Sequence, residues 1–172
     1  MGFFSWLKKR AEWKDRLRDL QDKEVKIERG FRGEGIKYEV GNKSLEMDFA
    51  WGNGDRLYTE TIAEWNDGRR LTIEEKKSVF VDTLNFLGGP YRKTIVVINT
   101  DDEACPLWKE LSDQHSEAVE KVEYWCNEQQ RQFERNMYIE ILNSQASLEI
   151  EGTPIKTEEQ LDKVLNRTHT KK

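Results

Sequence analysis

The chain has 172 residues, 35% of them charged and 36% apolar, with a net charge of −5. Ten per cent aromatic content, including six tryptophans, excludes a disordered chain, and the mild acidic excess argues against a general nucleic-acid binder. No run of 18 apolar residues occurs, and the apolar stretch after Met1 stops at Leu7, too short for a signal peptide.

Residues 1–24 read as an amphipathic helical arm. Phe3, Trp6, Leu7, Trp13, Leu17 and Leu20 fall within roughly 140° of arc at about 100° per residue. Through residue 19, six bases (Lys8, Lys9, Arg10, Lys14, Arg16, Arg18) face three acids (Glu12, Asp15, Asp19). Either the arm docks on the domain through its aromatics, or it rests on anionic lipid. In the second case Phe3, Phe4, Trp6, Leu7, Lys8, Lys9 and Trp13 make the contact and the protein is peripheral to the inner membrane face. The opening Met-Gly-Phe-Phe-Ser-Trp lacks the Ser or Thr that myristoylation needs at residue 6.

An antiparallel meander follows. A short strand is expected at Val25–Arg29. Ile36, Tyr38 and Val40 alternate with polar residues, as do Leu45, Met47, Phe49 and Trp51, and Gly41-Asn42 between them is a hairpin signal. Gly52-Asn53-Gly54-Asp55 turns the chain into a third strand, Arg56–Ile62. That glycine pair is a plain turn, since no Lys-Ser pair or helix follows to hold phosphate. Thr72 with Glu75 forms a capping box for a helix that Gly88-Gly89-Pro90 stops. Thr94–Asn99, apolar on both faces, reads as an interior strand.

Pro106 to Met137 is predicted to form one long helix. Leu107, Leu111, His115, Ala118, Val122, Trp125, Cys126 and Phe133 share an arc of about 100°. Glu110, Asp113, Glu117, Glu120, Tyr124 and Glu128 share the opposite face. His115 and Gln129 lie in the apolar stripe, as hydrogen-bonded packing residues. Between Asp101 and Glu128 nine acids face two bases, Lys109 and Lys121, a net −7. Like charges three and four apart are mildly destabilising in a helix, so this face is the candidate surface for a basic partner. On such a helix Cys105 and Cys126 would lie about 31 Å apart, beyond disulfide reach, which fits a reducing, cytoplasmic compartment. After Met137 the pattern rotates: Tyr138, Ile139 and Leu142 belong either to a helix end buried on several sides or to a strand. Leu148 and Ile150 alternate in a strand, Gly152-Thr153-Pro154 turns it, and Thr157 caps a last helix through about Asn166.

The expected organisation is the arm, one α+β domain over residues 25–167 and a frayed tail at 168–172. The domain would hold an antiparallel-rich sheet of about five or six strands, with the helices at 72–87 and 106–137 packed on it. No cofactor, catalytic or metal motif is present. Asp101, Asp102 and Glu103 could be considered for a Mg²⁺-dependent enzyme, although acids at a helix start also suit its dipole.

Tyr38–Met47 with its Gly-Asn hairpin, Thr61-Ile62-Ala63-Glu64-Trp65, and Leu71-Thr72-Ile73-Glu74-Glu75-Lys76 resemble the small immunity proteins of bacterial toxin systems, over about residues 36–87. The resemblance implies a cytosolic protein that neutralises a cognate toxin without catalysis. It assigns no binding residues, and the acidic set above comes from helix geometry alone.

Overall fold

The structure, a computed structural model, describes residues 3–30, 34–51, 54–89, 92–144, 146–150 and 152–169. Gly52, Asn53, Pro90 and the tail 170–172 lie outside the described residues, as do the side chains of Phe3, Phe4 and His169. Among the described residues five helices and nine strands form an α+β fold with sheets of three, four and two strands. The expected count of five or six strands is therefore low. The expected single domain is also divided, because the chain clusters into two compact units, Met1–Trp125 and Cys126–Lys172.

The first unit opens with α1 (Phe3–Asp22). Leu20 is buried and Leu17 partly so, packed in the same core as the residues of α2 (Ile73–Leu87). The arm is thus part of this unit through its C-terminal half. Strands β1 (Val25–Arg29), β2 (Ile36–Val40) and β3 (Lys43–Met47) form the antiparallel meander. Gly41 adopts φ +58 at the β2–β3 turn, the left-handed conformation that the Gly-Asn pair supplies. Ile27, Ile36, Tyr38, Leu45 and Met47 are buried in the core, while Lys37, Glu46 and Lys26 face out.

The alternation Leu45–Trp51 looked like one strand but serves two sheets. At Asp48, whose N–H donates to Thr61 Oγ1 at 2.9 Å, pairing switches. Strand β4 (Phe49–Ala50) then pairs antiparallel with β5 (Asp55–Tyr58). The strand expected at 56–62 ends early in a 3-10 turn, Thr59–Thr61, and Ile62 enters the core.

Helix α2 has its full capping box. The Glu75 N–H donates to Thr72 Oγ1 at 3.2 Å and the Thr72 N–H to Glu75 Oε2 at 2.9 Å. At its end Gly88 is needed for space: a Cβ there would meet Leu84 O at 2.8 Å and the Ala118 Cβ at 3.0 Å.

Strand β6 (Thr94–Asn99) is interior as expected, but it runs parallel to both its neighbours, β5 and β7 (Val119–Trp125). Parallel pairing requires crossovers, supplied by α2 and by α3 (Cys105–Gln114).

The predicted long helix is therefore not formed. Residues 105–114 are helix, 115–118 turn, 119–125 strand, and 127–143 a second helix. The misreading has a physical cause. The β6–β7 register shifts by one residue, pairing Thr94 with Val119 but Ile95 with Lys121, so Glu120 is left unpaired. Val119 and Val122, three apart, can then both reach the core. That spacing imitates a helical stripe. The 31 Å separation of the two free cysteines lapses with the helix.

The second unit comprises α4 (Asn127–Asn143), the hairpin of β8 (Leu148–Ile150) and β9 (Thr153–Ile155), and α5 (Glu158–His169). Residues 138–142 are helical. Leu148, Ile155 and Leu161 are buried, with Tyr138, Ile139, Ile141, Leu142, Val164 and Leu165 packed on them. Arg135 grips Asp162 with two hydrogen bonds of 2.7 and 3.1 Å, which hold that carboxyl below its usual range. Gln129, placed by sequence in an apolar stripe, is instead exposed and accepts the Cys126 N–H at 3.1 Å. Thr157 accepts the Gln160 N–H as expected of a cap.

Candidate functional site

The six acidic-face residues do not share a helix. Glu110 and Asp113 are exposed on α3, and Glu117 is exposed in the α3–β7 turn, with its Oε1 3.7 Å from His115 Nδ1. His115 is half-buried beyond the helix end rather than in a packed stripe. Glu120 is the unpaired residue of β7, and Tyr124 lies near the end of that strand, 45% exposed. Glu128 starts α4 in the other unit and leaves the group. Among the described residues Glu110, Asp113 and Glu120 meet no cationic side chain, and the outer side of β7 pairs with no strand. Its other face is different. Glu123 is held by Lys121 at 2.7 Å and by Arg56, reaching across β6, at 3.3 Å, and the carboxyl is lowered by both.

Asp102 is structural. Its Oδ1 accepts the Ala104 N–H at 2.9 Å and its Oδ2 the Trp108 indole N–H at 3.0 Å, which fixes the start of α3. Among the described residues no three His, Cys, Asp or Glu side chains gather to hold a metal. In α1, Leu7 is 41% exposed beside exposed Lys8 and Lys9, whereas Trp6 and Trp13 are partly buried.

The structure also forms a cleft that the sequence did not reveal. It has a volume of about 280 Å³, with Val25, Val40, Val79 and Trp65 as apolar walls. Asp82, 1% exposed on α2, takes hydrogen bonds from Lys23 Nζ at 2.9 Å, Tyr38 Oη at 3.0 Å and Ser78 Oγ at 3.3 Å. Burial, then the Asp82 charge, pushes the Tyr38 phenol well above its usual range, so it stays protonated and donates. At the rim Glu75 binds Arg69 at 2.6 Å and Lys43 at 3.1 Å. The Arg69 guanidinium, then the Thr72 N–H, holds the Glu75 carboxyl far below its usual range. Lys43 Nζ also lies 5.4 Å from the Trp65 ring centre. The indole N–H of Trp65 is buried without an acceptor. A sequence signal existed, because Asp82 falls three residues after Val79 on α2, a charged residue at an inward position.

Comparison with family models, curated proteins and solved structures finds no match to this chain.

Proposed function

We propose that the chain is a non-enzymatic protein-binding protein, an immunity protein of a bacterial toxin system that holds a basic toxin against its α3–β7 edge in the cytoplasm. One observation carries this reading: exposed Glu110 and Asp113 on α3 and exposed Glu120 on β7 have no cationic partner among the described residues, and β7, an open edge strand, also exposes Tyr124. Uncompensated acids raise the encounter rate with a basic partner, and a tyrosine offers rigid contact area at low entropic cost. The resemblance to immunity proteins over about residues 36–87 supports the same class. The test is a pull-down with the product of the adjacent gene, comparing the wild type with Asp113→Lys/Glu120→Lys. Binding should weaken at least tenfold and become less salt-sensitive. Unchanged binding removes this edge from the interface.

A second reading has its own observation. Leu7 is exposed beside Lys8 and Lys9 while Leu17 and Leu20 are packed away, so the first half of α1 alone is available to a lipid surface. Flotation with anionic liposomes decides it: a protein that stays at the bottom of the gradient is not held by this helix. Among the described residues, no helix is long and apolar enough to cross a membrane.

A further inference from the structure

Arg29 ends β1 and is half-buried, yet it has neither an acidic partner nor a hydrogen-bond acceptor among the described residues. Its Cζ lies 4.6 Å from the ring centre of Trp51 and 5.9 Å from those of Phe49 and Phe86. Aromatic faces stabilise the charge but leave the five guanidinium N–H donors unfilled. A second guanidinium, Arg92, stands 4.5 Å from the same Trp51 centre. The two distances place the guanidinium carbons no more than 9.1 Å apart. Beside Arg92 stands Asp55, with Oδ2 3.8 Å away, too long for a hydrogen bond. That oxygen is buried and makes no hydrogen bond elsewhere, so the cluster holds two cations against one loosely engaged acid. Trp51 itself is 48% exposed.

We infer that Arg29, Trp51 and Arg92 form a binding site for the phosphate group of a small organic phosphate. The fork of a guanidinium matches phosphate oxygens two at a time, and two forks no more than 9.1 Å apart suit a dianion better than a singly charged carboxylate. The exposed part of the Trp51 ring lies where an organic substituent can rest. If the stack only tied chain segments together, it would have no reason to leave Arg29 without a counterion. This site is separate from the acidic edge and does not depend on it.

The experiment is calorimetric titration of the full chain at low ionic strength with inorganic phosphate, phenyl phosphate and benzoate. Phenyl phosphate should saturate the site in the millimolar range or below, several-fold tighter than inorganic phosphate, with benzoate weaker than either. Arg29→Lys and Arg92→Lys keep the charge but lose the planar fork, and each should weaken phenyl phosphate at least tenfold. Lys8→Met/Lys9→Met should change nothing. Asp55→Asn, which removes a competing anion, should strengthen binding. Tryptophan fluorescence melts check folding, and Arg92→Lys, on a half-exposed side chain, keeps the test standing if Arg29→Lys disturbs the core. Absence of saturable phosphate binding, or lysine variants that bind like the wild type, overturns the proposal.

Discussion

Asp82 offers the sharpest test of what holds the first unit together. Its two shortest contacts differ in kind: Lys23 is a full charge at 2.9 Å and Tyr38 a neutral donor at 3.0 Å. Charge alone would rank Lys23 first, but solvent reverses the order. The Lys23 side chain is 55% exposed and its attraction is screened, so Lys23→Met should cost under about 1 kcal/mol. Tyr38 is 2% exposed, and Tyr38→Phe strips a buried carboxylate of a donor that water cannot replace. A hydrogen bond to a charged group is worth about 1.5–3 kcal/mol, or roughly 6–12 °C at about 4 °C per kcal/mol. All six tryptophans lie in Met1–Trp125, so urea unfolding followed by their fluorescence reports this unit alone. In an Asp82→Asn background, where the acceptor is neutral, the cost of Tyr38→Phe should fall to about 1 kcal/mol. A Tyr38→Phe cost below about 0.5 kcal/mol, equal in both backgrounds, would refute the reasoning.

Thr72→Ala removes the α2 cap and should cost about 1 kcal/mol in the same urea assay. Because the folded Glu75 carboxyl lies below its unfolded value, the stability it contributes is complete above about pH 4.3 and is lost as pH falls further towards the folded value. Glu75→Gln should flatten that part of a stability-against-pH curve. Leu161→Ala, at a fully buried site between α4 and α5, should cost about 2–5 kcal/mol, read as a lower far-UV melting transition. Glu120→Val turns the open edge of β7 apolar, and light scattering should show more self-association than in the wild type.

Much of the first unit was legible because its signals are local. The Gly41-Asn42 turn, the Thr72–Glu75 box and the doubly buried run Thr94–Asn99 each specify an element without long-range help. The segment 105–143 was not, and neither was the Asp82 cleft. No glycine or proline marks the end of α3 at Gln114, and the unpaired Glu120 gives β7 a three-residue spacing that belongs to helices. The β-forming content of Val119-Glu120-Lys121-Val122-Glu123-Tyr124-Trp125 was the contrary signal, and periodicity overrode it. The cleft joins Lys23, Tyr38 and Asp82, residues far apart in sequence, which only the packing of α1, β2 and α2 brings together.

The strand changes the argument for a partner rather than removing it. On a helix, acids three apart would be about 5–6 Å from one another and would repel. Along an extended strand three residues span roughly 10 Å, about a screening length, so self-repulsion no longer calls for a cation at Glu120. What takes its place is the sorting of charge. On one face of β7, Glu123 is neutralised by Lys121 and Arg56. Val122 packs toward the core on the other face, Tyr124 is exposed on the same strand, and on α3 Glu110 and Asp113 have no cation among the described residues. Guarding an edge strand against pairing explains an exposed charge at Glu120. It does not explain two uncompensated acids on a helix that has no edge to guard. A basic surface laid along α3 and β7 accounts for all three.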